Sequence, residues 1–241
     1  MKLFKGLLYV DSCPSTNEML STQLKKFTDR EIGALYTFNQ TSGRGQRGNN
    51  WYTGEGQDLA LSFSLQLQNF PASMQFDLNI IFSLAAVEAI ECFIKPCFIK
   101  WPNDIYYKDQ KLAGLLVQGA IQGKEMSEAI LGIGLNVNSL IFPASLPNPV
   151  SLRELIGKPL SLGSLPLLIK EMLLERMMKT PEENLKAYTA KLYRLNMDQR
   201  YSINNETVIG QIEGITKEGK LILKIEGQLR QFNFKELEYL I

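Results

Sequence analysis

A run of closely spaced strands in the middle of the chain constrains the fold more than any other feature. Four apolar segments lie there with short polar turns between them, at 98–101, 105–107, 112–121 and 129–136, and the turns fall at 108–110 and 122–124. Helical patterns flank this run, at 16–27, 77–93, 165–178 and 181–195. Hairpin-linked strands between helices predict an α+β fold, with a mixed, largely antiparallel sheet packed with helices, rather than a doubly wound fold.

Patterns before this run extend the predicted sheet. Residues 59–67 alternate apolar side chains with small or polar ones, as in Leu61, Ser62 and Phe63, which predicts a strand with one buried face. Shorter strands are predicted at 6–10 and 34–39. The capping box at residues 15–18 predicts that a helix begins there.

Turn signals become denser after residue 196. Short apolar segments are broken at 217–220 and 226–228, and turns at this spacing are typical of a small barrel-like unit. We therefore expect a larger domain at 1–195 and a small β domain at 196–241. The uncharged stretch 131–152 is long enough to span a bilayer, but its asparagines and prolines predict a strand followed by a loop.

The composition excludes several mechanisms. The 241 residues include no histidine, which removes Ser-His-Asp and Cys-His mechanisms and zinc sites built on imidazole. The formal net charge of +1 suggests no nucleic-acid and no acidic-membrane partner. The three cysteines, Cys13, Cys92 and Cys97, have no CxxC spacing, so we expect free thiols in a reducing compartment and a cytoplasmic protein.

The glycine-rich segment Gly43–Trp51 is the first candidate binding element. It matches G-x-G-x-x-G, but Asn49 to Trp51 do not begin the helix that a dinucleotide site requires, and kinase signatures are missing. Glycine gives mobility and exposes backbone amides, while Arg44 and Arg47 offer forked donors for phosphate or carboxylate. A plain flexible connection between strands is the alternative. We expect a loop that orders over an anion attached to a flat ring, with Trp51 as a stacking surface.

The second candidate element combines Lys100–Asp104 with Lys111–Gly114. The first segment ends a strand at a turn, because a residue before proline is restricted to extended geometry and an Asn-Asp pair favours turning. The small residues at 113 and 114 would let a ligand approach the backbone closely. A solvated hairpin corner and a surface lysine are the alternatives. Asn136 and Asn138 end an apolar strand, where an amide either contacts a ligand or caps a turn.

Taken in this order along the chain, the motifs make the sequence resemble the biotin protein ligases. The resemblance extends over nearly the whole length, from residues 11–17 through both candidate elements to the C-terminal β unit. It implies a class II synthetase-like catalytic domain at 1–195 and an SH3-like barrel at 196–241. It also implies the monofunctional type, which lacks an N-terminal DNA-binding domain, because the Ser15–Asn17 motif lies almost at the start of the chain.

The resemblance implies two half-reactions. Biotin and ATP give biotinyl-5′-AMP and pyrophosphate, with Mg²⁺ as activator and no tightly bound prosthetic group. A lysine of the biotin carboxyl carrier protein, as in acetyl-CoA carboxylase, then takes the biotin. The implied partners are biotin, ATP and the carrier, with no nucleic acid and no membrane, and a homodimer is left open. The metal ligands are not implied.

The resemblance also assigns roles to individual residues. Lys111 and Arg44 are the implied catalytic residues. The implied biotin site contains Ser15, Thr16, Asn17, Gln40, Arg44, Gly45, Gln46, Lys111 and Gly114. The implied adenylate site contains Arg47, Trp51, Asn103 and Asn136. Asp104 would act on the acceptor lysine or on the metal. Gln46 departs from the family, in which many members have arginine at this position.

Two other functions remain as alternatives. Lipoate–protein ligases share the fold and the acyl-adenylate chemistry, but their loop and lysine segments differ from those of this chain. A non-catalytic module that binds the carrier is the second alternative, and the presence of Arg44, Lys111 and Asn136 argues against it.

Overall fold

The computed structural model describes residues 2–3, 6–26 and 32–241. Strands and helices up to residue 107 are β1 (Lys2–Leu3), β2 (Gly6–Tyr9), α1 (Thr16–Lys26), β3 (Ile32–Thr37), β4 (Gly43–Arg44), β5 (Asn50–Trp51), β6 (Leu59–Pro71), α2 (Gln75–Glu91), β7 (Phe98–Lys100) and β8 (Asp104–Tyr107). They are followed by β9 (Gln110–Gln122), β10 (Glu125–Leu135), α3 (Leu152–Ile156), α4 (Leu165–Met177) and α5 (Pro181–Ala190). The C-terminal strands are β11 (Asp198–Ile203), β12 (Glu206–Ile215), β13 (Leu221–Ile225), β14 (Gln228–Phe232) and β15 (Glu238–Tyr239).

The main sheet has the order β2-β3-β6-β10-β9-β8-β7, and β1 also pairs with β6. Strands β2 and β3 are parallel, and the other neighbours are antiparallel. The predicted α+β class, with a mixed and largely antiparallel sheet, is confirmed. The predicted strands all form, with ends that differ by a few residues. Phe27, which the sequence placed on the first helix, lies outside the described residues.

Both faces of the long strand β6 are buried, so the prediction of one buried face was wrong. Phe63 packs against Phe82 of α2, with ring centroids 6.0 Å apart. Ser62, on the opposite face, contacts α1, where its hydroxyl lies 2.8 Å from Thr16 Oγ1. Ser62 and Ser64 are fully buried. Alternation indicated a solvent-facing side, but α1 covers that side and satisfies the hydroxyl of Ser62.

Helix α2 is apolar on nearly all sides because it is enclosed by the protein. It packs on β8, β9 and β10, and α4 and α5 pack against it. Within the described residues, the stretch Ala72–Glu91 is long and apolar enough to cross a membrane by length and composition, but 67% of its most apolar window is buried inside the fold. Its composition is therefore that of a core helix.

The chain leaves helical geometry earlier than the sequence predicted near residue 190. Helix α5 ends at Ala190 rather than Leu195. Beyond it, Leu192 bridges to Ile99 at the edge of the main sheet, and Leu195 bridges to Ile212 of β12. In these pairings, backbone N–H and C=O groups beyond residue 190 bond to distant strands. They are therefore not available for the hydrogen bonds of a longer helix. The short helix α3 begins at Leu152, where the predicted loop ends, and the sequence analysis predicted no element for it.

The C-terminal strands form a second sheet of order β14-β13-β12-β11-β15. Trp101 joins the two sheets, since its indole Nε1 donates to the carbonyl of Gly219 at 2.9 Å and its ring lies 6.2 Å from that of Phe234. The predicted C-terminal β region is present. The domain boundary between residues 195 and 196 stays a prediction.

Asp58 fixes the turn before β6 to the segment after β10. Its carboxylate is fully buried and accepts hydrogen bonds from the amides of Gly54 (2.9 Å), Val137 (2.8 Å) and Ser139 (3.3 Å), and from the hydroxyl of Ser139 (2.6 Å). A buried carboxylate is unfavourable unless its lone pairs are satisfied in this way. Asp58 therefore holds the chain that leads out of β5.

We predict that Asp58→Ala lowers the free energy of unfolding by roughly 3 kcal/mol or more, because several buried donors lose their acceptor at once. Chemical denaturation measures this effect. Glu55→Ala is the matched control, since this exposed carboxylate lies in the same turn and should change stability by only about 0.5 kcal/mol or less. Equal stability of the two variants would contradict the assigned role of Asp58.

Candidate active site

A cavity of about 610 Å³ lies between the main sheet, the 43–51 segment and the second sheet. Its lining includes the predicted residues Ser15, Thr16, Asn17, Gln40, Arg44, Gly45, Gln46, Trp51, Asn103, Asp104, Lys111 and Gly114. The folded chain thus brings together most of the site residues expected from the sequence. Their individual roles remain predictions.

One end of the cavity is a network of uncharged hydrogen-bonding groups. The backbone amide of Thr16 donates to Gln40 Oε1 at 2.9 Å. The Ser62 hydroxyl donates to Asn17 Oδ1 at 2.5 Å, and Asn17 Nδ2 donates to Gln118 Oε1 at 2.8 Å. These hydrogen bonds fix the orientation of the Asn17 and Gln40 side-chain amides. Ser62 and Gln118 were missed by the sequence analysis, because only the pairing of β6, β10 and β9 brings them to α1.

Glycines form the floor of the cavity and allow large side chains to lie directly on the strands. A Cβ atom at Gly132 would lie 2.1 Å from Asn17 Oδ1. Cβ atoms at Gly134 and Gly114 would lie 2.2 Å and 2.8 Å from the ring of Trp51. Any larger residue would displace these side chains. The sequence analysis predicted that a ligand approaches the backbone closely at Gly114. In this structure the indole of Trp51 lies against that position.

An ion pair marks the charged part of the cavity. Lys111 Nζ on β9 lies 2.8 Å from Asp104 Oδ1 on β8, and both side chains are partly exposed. The same ammonium lies 5.4 Å from the centre of the Trp51 ring. The register that pairs Asp104 with Gly114 sets this geometry. A cation, a carboxylate and an aromatic face therefore converge where the uncharged network ends.

The glycine-rich segment has defined local structure beside this ion pair. Strands β4 and β5 pair Gly43 with Trp51, and a 3₁₀ turn at 46–48 connects them. The Arg44 guanidinium pairs with Glu18 on α1 at 2.7 Å, and both side chains are largely exposed. Such a pair contributes little stability, so Arg44 can exchange its partner at low cost. The side chain of Arg47 lies outside the described residues.

Three asparagines have separate positions. Asn103 lines the cavity, and its Nδ2 donates to the carbonyl of Leu115 at 2.5 Å. Asn136 lies behind the cavity wall, where its Nδ2 donates to the carbonyls of Val150 (3.1 Å) and Lys111 (3.4 Å). Asn138 exchanges two hydrogen bonds with the backbone of Leu160. The Asn138 amide thus holds a segment 22 residues further along the chain, which is a structural role different from capping a turn. The adenylate role of Asn136 stays a prediction.

Several lining residues were not assigned a role by the sequence analysis. They include Lys100, Asn49, Asn50, Phe234, Leu237, Glu238 and Tyr239. Lys100 stood within a motif and could have been assigned, whereas the residues of the second sheet carry no local signal. Within the described residues, no group of three or more Cys, Asp or Glu side chains is placed to hold a metal ion.

The fold and this cavity define an α+β protein with a small-molecule site that joins a neutral hydrogen-bonding end to a charged end. The chain belongs to the biotin/lipoate A/B protein ligase family, whose sequence model matches residues 9–136. The membership expected from the motifs is therefore confirmed.

Relatives and solved structures agree with this family. The chain is 26% identical to the bifunctional ligase/repressor BirA of Escherichia coli over 223 residues, which cover 90% of this chain and 68% of that protein. It is 29% identical over 127 residues to the biotin–[acetyl-CoA-carboxylase] ligase of Mycobacterium tuberculosis, covering 51% of this chain and 46% of the relative. The biotin protein ligase from Aquifex aeolicus in complex with biotin and ATP has a TM-score of 0.78 and 25% identity, covering 98% of this chain and 100% of that one.

We predict that Gly134→Ala shifts the fluorescence of Trp51 to longer wavelength, because the added methyl group displaces the indole from the sheet towards solvent. The chain has two tryptophans, and the other, Trp101, is buried in the turn after β7, where it packs against the second sheet away from Gly134, so the difference spectrum reports on Trp51. Gly163→Ala is the control, since a Cβ atom there meets nothing within 4 Å. An unchanged spectrum for Gly134→Ala would show that the sheet accommodates the methyl group.

Proposed function

We propose that the protein is an ATP-dependent biotin protein ligase. It activates biotin to biotinyl-5′-AMP and transfers the biotinyl group to a lysine of a biotin carboxyl carrier protein. The observation that supports this proposal most directly is one cavity in which the Thr16–Gln40 network and the Lys111–Asp104 pair are neighbours. The family is that of the biotin/lipoate protein ligases, and the named proteins from Mycobacterium tuberculosis and Aquifex aeolicus are biotin ligases, which supports this activity.

In the first half-reaction, a carboxylate oxygen of biotin attacks the α-phosphorus of ATP, and pyrophosphate leaves. Negative charge develops on the phosphoryl oxygens, and a cation held in place stabilises it without any histidine. Lys111 is suited to this role, because β9 fixes it beside Asp104 and Trp51. The ureido ring of biotin would bind at the neutral end, where donors and acceptors are already oriented.

In the second half-reaction, the neutral amine of the carrier lysine attacks the acyl carbon, and AMP leaves. Asp104 lies within the cavity next to Lys111, so it is suited to accept the proton that the amine loses. Mg²⁺ usually binds one or two carboxylates together with substrate phosphates, and Asp104 fits that pattern as a protein ligand. Bound there, the ion would neutralise phosphate charge.

The remaining residues have supporting roles in this proposal. Ser15, Asn17 and Gly114 shape the biotin end, and Gly45 and Gln46 offer backbone and amide donors from the loop. Arg44, Arg47, Trp51, Asn103 and Asn136 are proposed to act on or near the adenylate, Asn136 by fixing the backbone of Lys111. We propose a cytoplasmic enzyme without a nucleic-acid or membrane partner, in accord with its net charge of +1.

Pyrophosphate exchange into ATP tests the function. The purified protein is incubated with ATP, Mg²⁺ and labelled pyrophosphate, with biotin or lipoate supplied separately. We expect exchange with biotin and little with lipoate, followed by labelling of a carrier fragment. Exchange with lipoate alone would favour the lipoate ligase alternative, and no exchange with either acid would favour a non-catalytic module.

We predict that Lys111→Ala reduces the adenylation rate by about 10²–10³-fold, since one interaction with developing charge is lost. Lys108→Ala is the matched control, because this exposed lysine lies on the turn between β8 and β9, where its ammonium is 5.8 Å from the centre of the Tyr107 ring. Single-turnover formation of biotinyl-AMP measures the difference. Similar rates in the two variants would place Lys111 outside the chemistry.

We also predict that residues 43–50 gain protection from hydrogen exchange when biotin is added. Arg44 pairs with Glu18 at the surface, and an adenylate would give it a stronger, less exposed partner. Exchange measured by mass spectrometry with and without biotin and ATP tests this. Equal protection in both states would contradict closure of the segment.

A further inference from the structure

The side-chain amide of Asn17 is held across three neighbouring strands of the main sheet, β6, β10 and β9. Asn17 is 5% exposed and lies over Gly132 of β10, where a Cβ atom would meet its Oδ1. Gly132 lies opposite Ser62 of β6 and Leu116 of β9, and Gln118 follows two positions along β9 on the same face. The middle strand therefore supports the amide from below, and the strands on either side supply its two polar partners.

The two partners of this amide have different hydrogen-bonding chemistry. The Ser62 hydroxyl is fully buried and donates to Asn17 Oδ1 at 2.5 Å. A carbonyl oxygen can only accept, so the single hydroxyl proton of the serine lies in this bond. On the other side, Asn17 Nδ2 donates to Gln118 Oε1 at 2.8 Å. The bonds thus run in one direction, from the serine to the asparagine and on to the glutamine, and successive bonds of this kind strengthen one another.

Gln118 determines which way round the Asn17 amide is held. If the Asn17 amide were reversed, its Oδ1 would face Gln118 Oε1, and two carbonyl oxygens have no proton to share. Asn17 can therefore reverse only if Gln118 reverses with it. A side chain at position 118 that only accepts hydrogen bonds would exclude the reversed arrangement, whereas an apolar side chain would permit both.

The held amide retains hydrogen-bonding capacity for a ligand. A primary amide carries two N–H groups, and Gln118 accepts from one of them. Asn17 lines the neutral end of the cavity together with Thr16 and Gln40. A cyclic urea suits such an end, because it is uncharged and offers both N–H donors and a carbonyl acceptor. A ring without these groups would leave a buried N–H group unsatisfied, which is unfavourable.

We propose that Gln118 is a positioning residue that selects the ring of the acid to be activated. By fixing the Asn17 amide, it makes the neutral end favourable for a cyclic urea and unfavourable for a ring without hydrogen-bonding groups. This inference rests on the proposed function, in which biotin is the acid, and extends it to discrimination against lipoate, whose dithiolane ring has neither N–H nor carbonyl. Sites that hydrogen-bond a substrate group reject analogues lacking that group more strongly than apolar pockets do.

Titration calorimetry with biotin tests the inference. Gln118→Met keeps the length of the side chain but removes its amide, so we expect biotin to bind roughly 10- to 100-fold more weakly, since a buried donor loses its acceptor. Gln118→Glu keeps accepting oxygens and should bind biotin like the wild type. Gln122→Met is the matched control and should have no effect, because this exposed glutamine lies on the same face of β9.

Steady-state kinetics separate positioning from a general structural effect. In pyrophosphate exchange, Gln118→Met should raise the KM for biotin and leave both kcat and the KM for ATP unchanged. Desthiobiotin, which keeps the ureido ring and lacks the sulfur, should follow biotin in every variant. The ratio of kcat/KM for biotin to that for lipoate should fall by roughly 10- to 100-fold in Gln118→Met, since lipoate has no group that bonds to the amide.

Ser62→Ala reaches the same amide from the other side and keeps the inference testable if Gln118→Met does not fold. It removes the donor to Asn17 Oδ1 and should weaken biotin binding by a similar factor. In the double variant Ser62→Ala with Gln118→Met, the two losses should be less than additive, because both act on one amide. Two independent structural defects would instead add.

Three results would overturn the inference. They are an unchanged biotin affinity in Gln118→Met, a loss in Gln118→Glu equal to that in Gln118→Met, and a rise in the KM for ATP as large as that for biotin. A wild type that binds biotin but shows no biotin-dependent exchange would refute the proposed function and leave the calorimetric comparison at Gln118 valid.

Discussion

The turn at residues 101–104 joins the separate parts of the protein, and the cavity depends on it. The carbonyl of Pro102 accepts hydrogen bonds from Asn79 of α2 (2.5 Å) and from the hydroxyl of Tyr188 of α5 (2.9 Å). The indole of Trp101 donates to Gly219 of the second sheet. These groups are buried, and breaking one hydrogen bond would leave its partner unsatisfied. The turn therefore cannot move without disturbing the helices and the second sheet.

This fixed turn determines where the charges of the cavity lie. Lys100 precedes it and Asp104 follows it, and the pairing of β8 with β9 brings Lys111 to Asp104. Asp104 pairs with Lys111, whereas tyrosine rings lie against Lys100 without neutralising it. Two lysines on strands of one sheet thus differ in electrostatic surroundings because their neighbours differ.

Local patterns predicted much of the sheet, and they failed where a distant element changed the environment. The turns at 108–110 and 122–124 fixed the hairpins, and the alternation at 59–67 identified β6. Alternation cannot show, however, that α1 covers the second face of that strand, where Ser62 is buried and contacts Thr16. Likewise, helical periodicity could not show that Leu192 and Leu195 pair with other strands and end α5 early.

The sequence by itself determined the α+β class, the family, and which short motifs line the cavity, because each of these depends on residue type and spacing within a few turns of chain. Only the tertiary structure decided that Glu18 pairs with Arg44, that Gly134 lies beneath Trp51, and that Tyr239 faces Lys100. These contacts join residues far apart along the chain. They arise from how the sheets and helices pack, and no local period or composition records that packing.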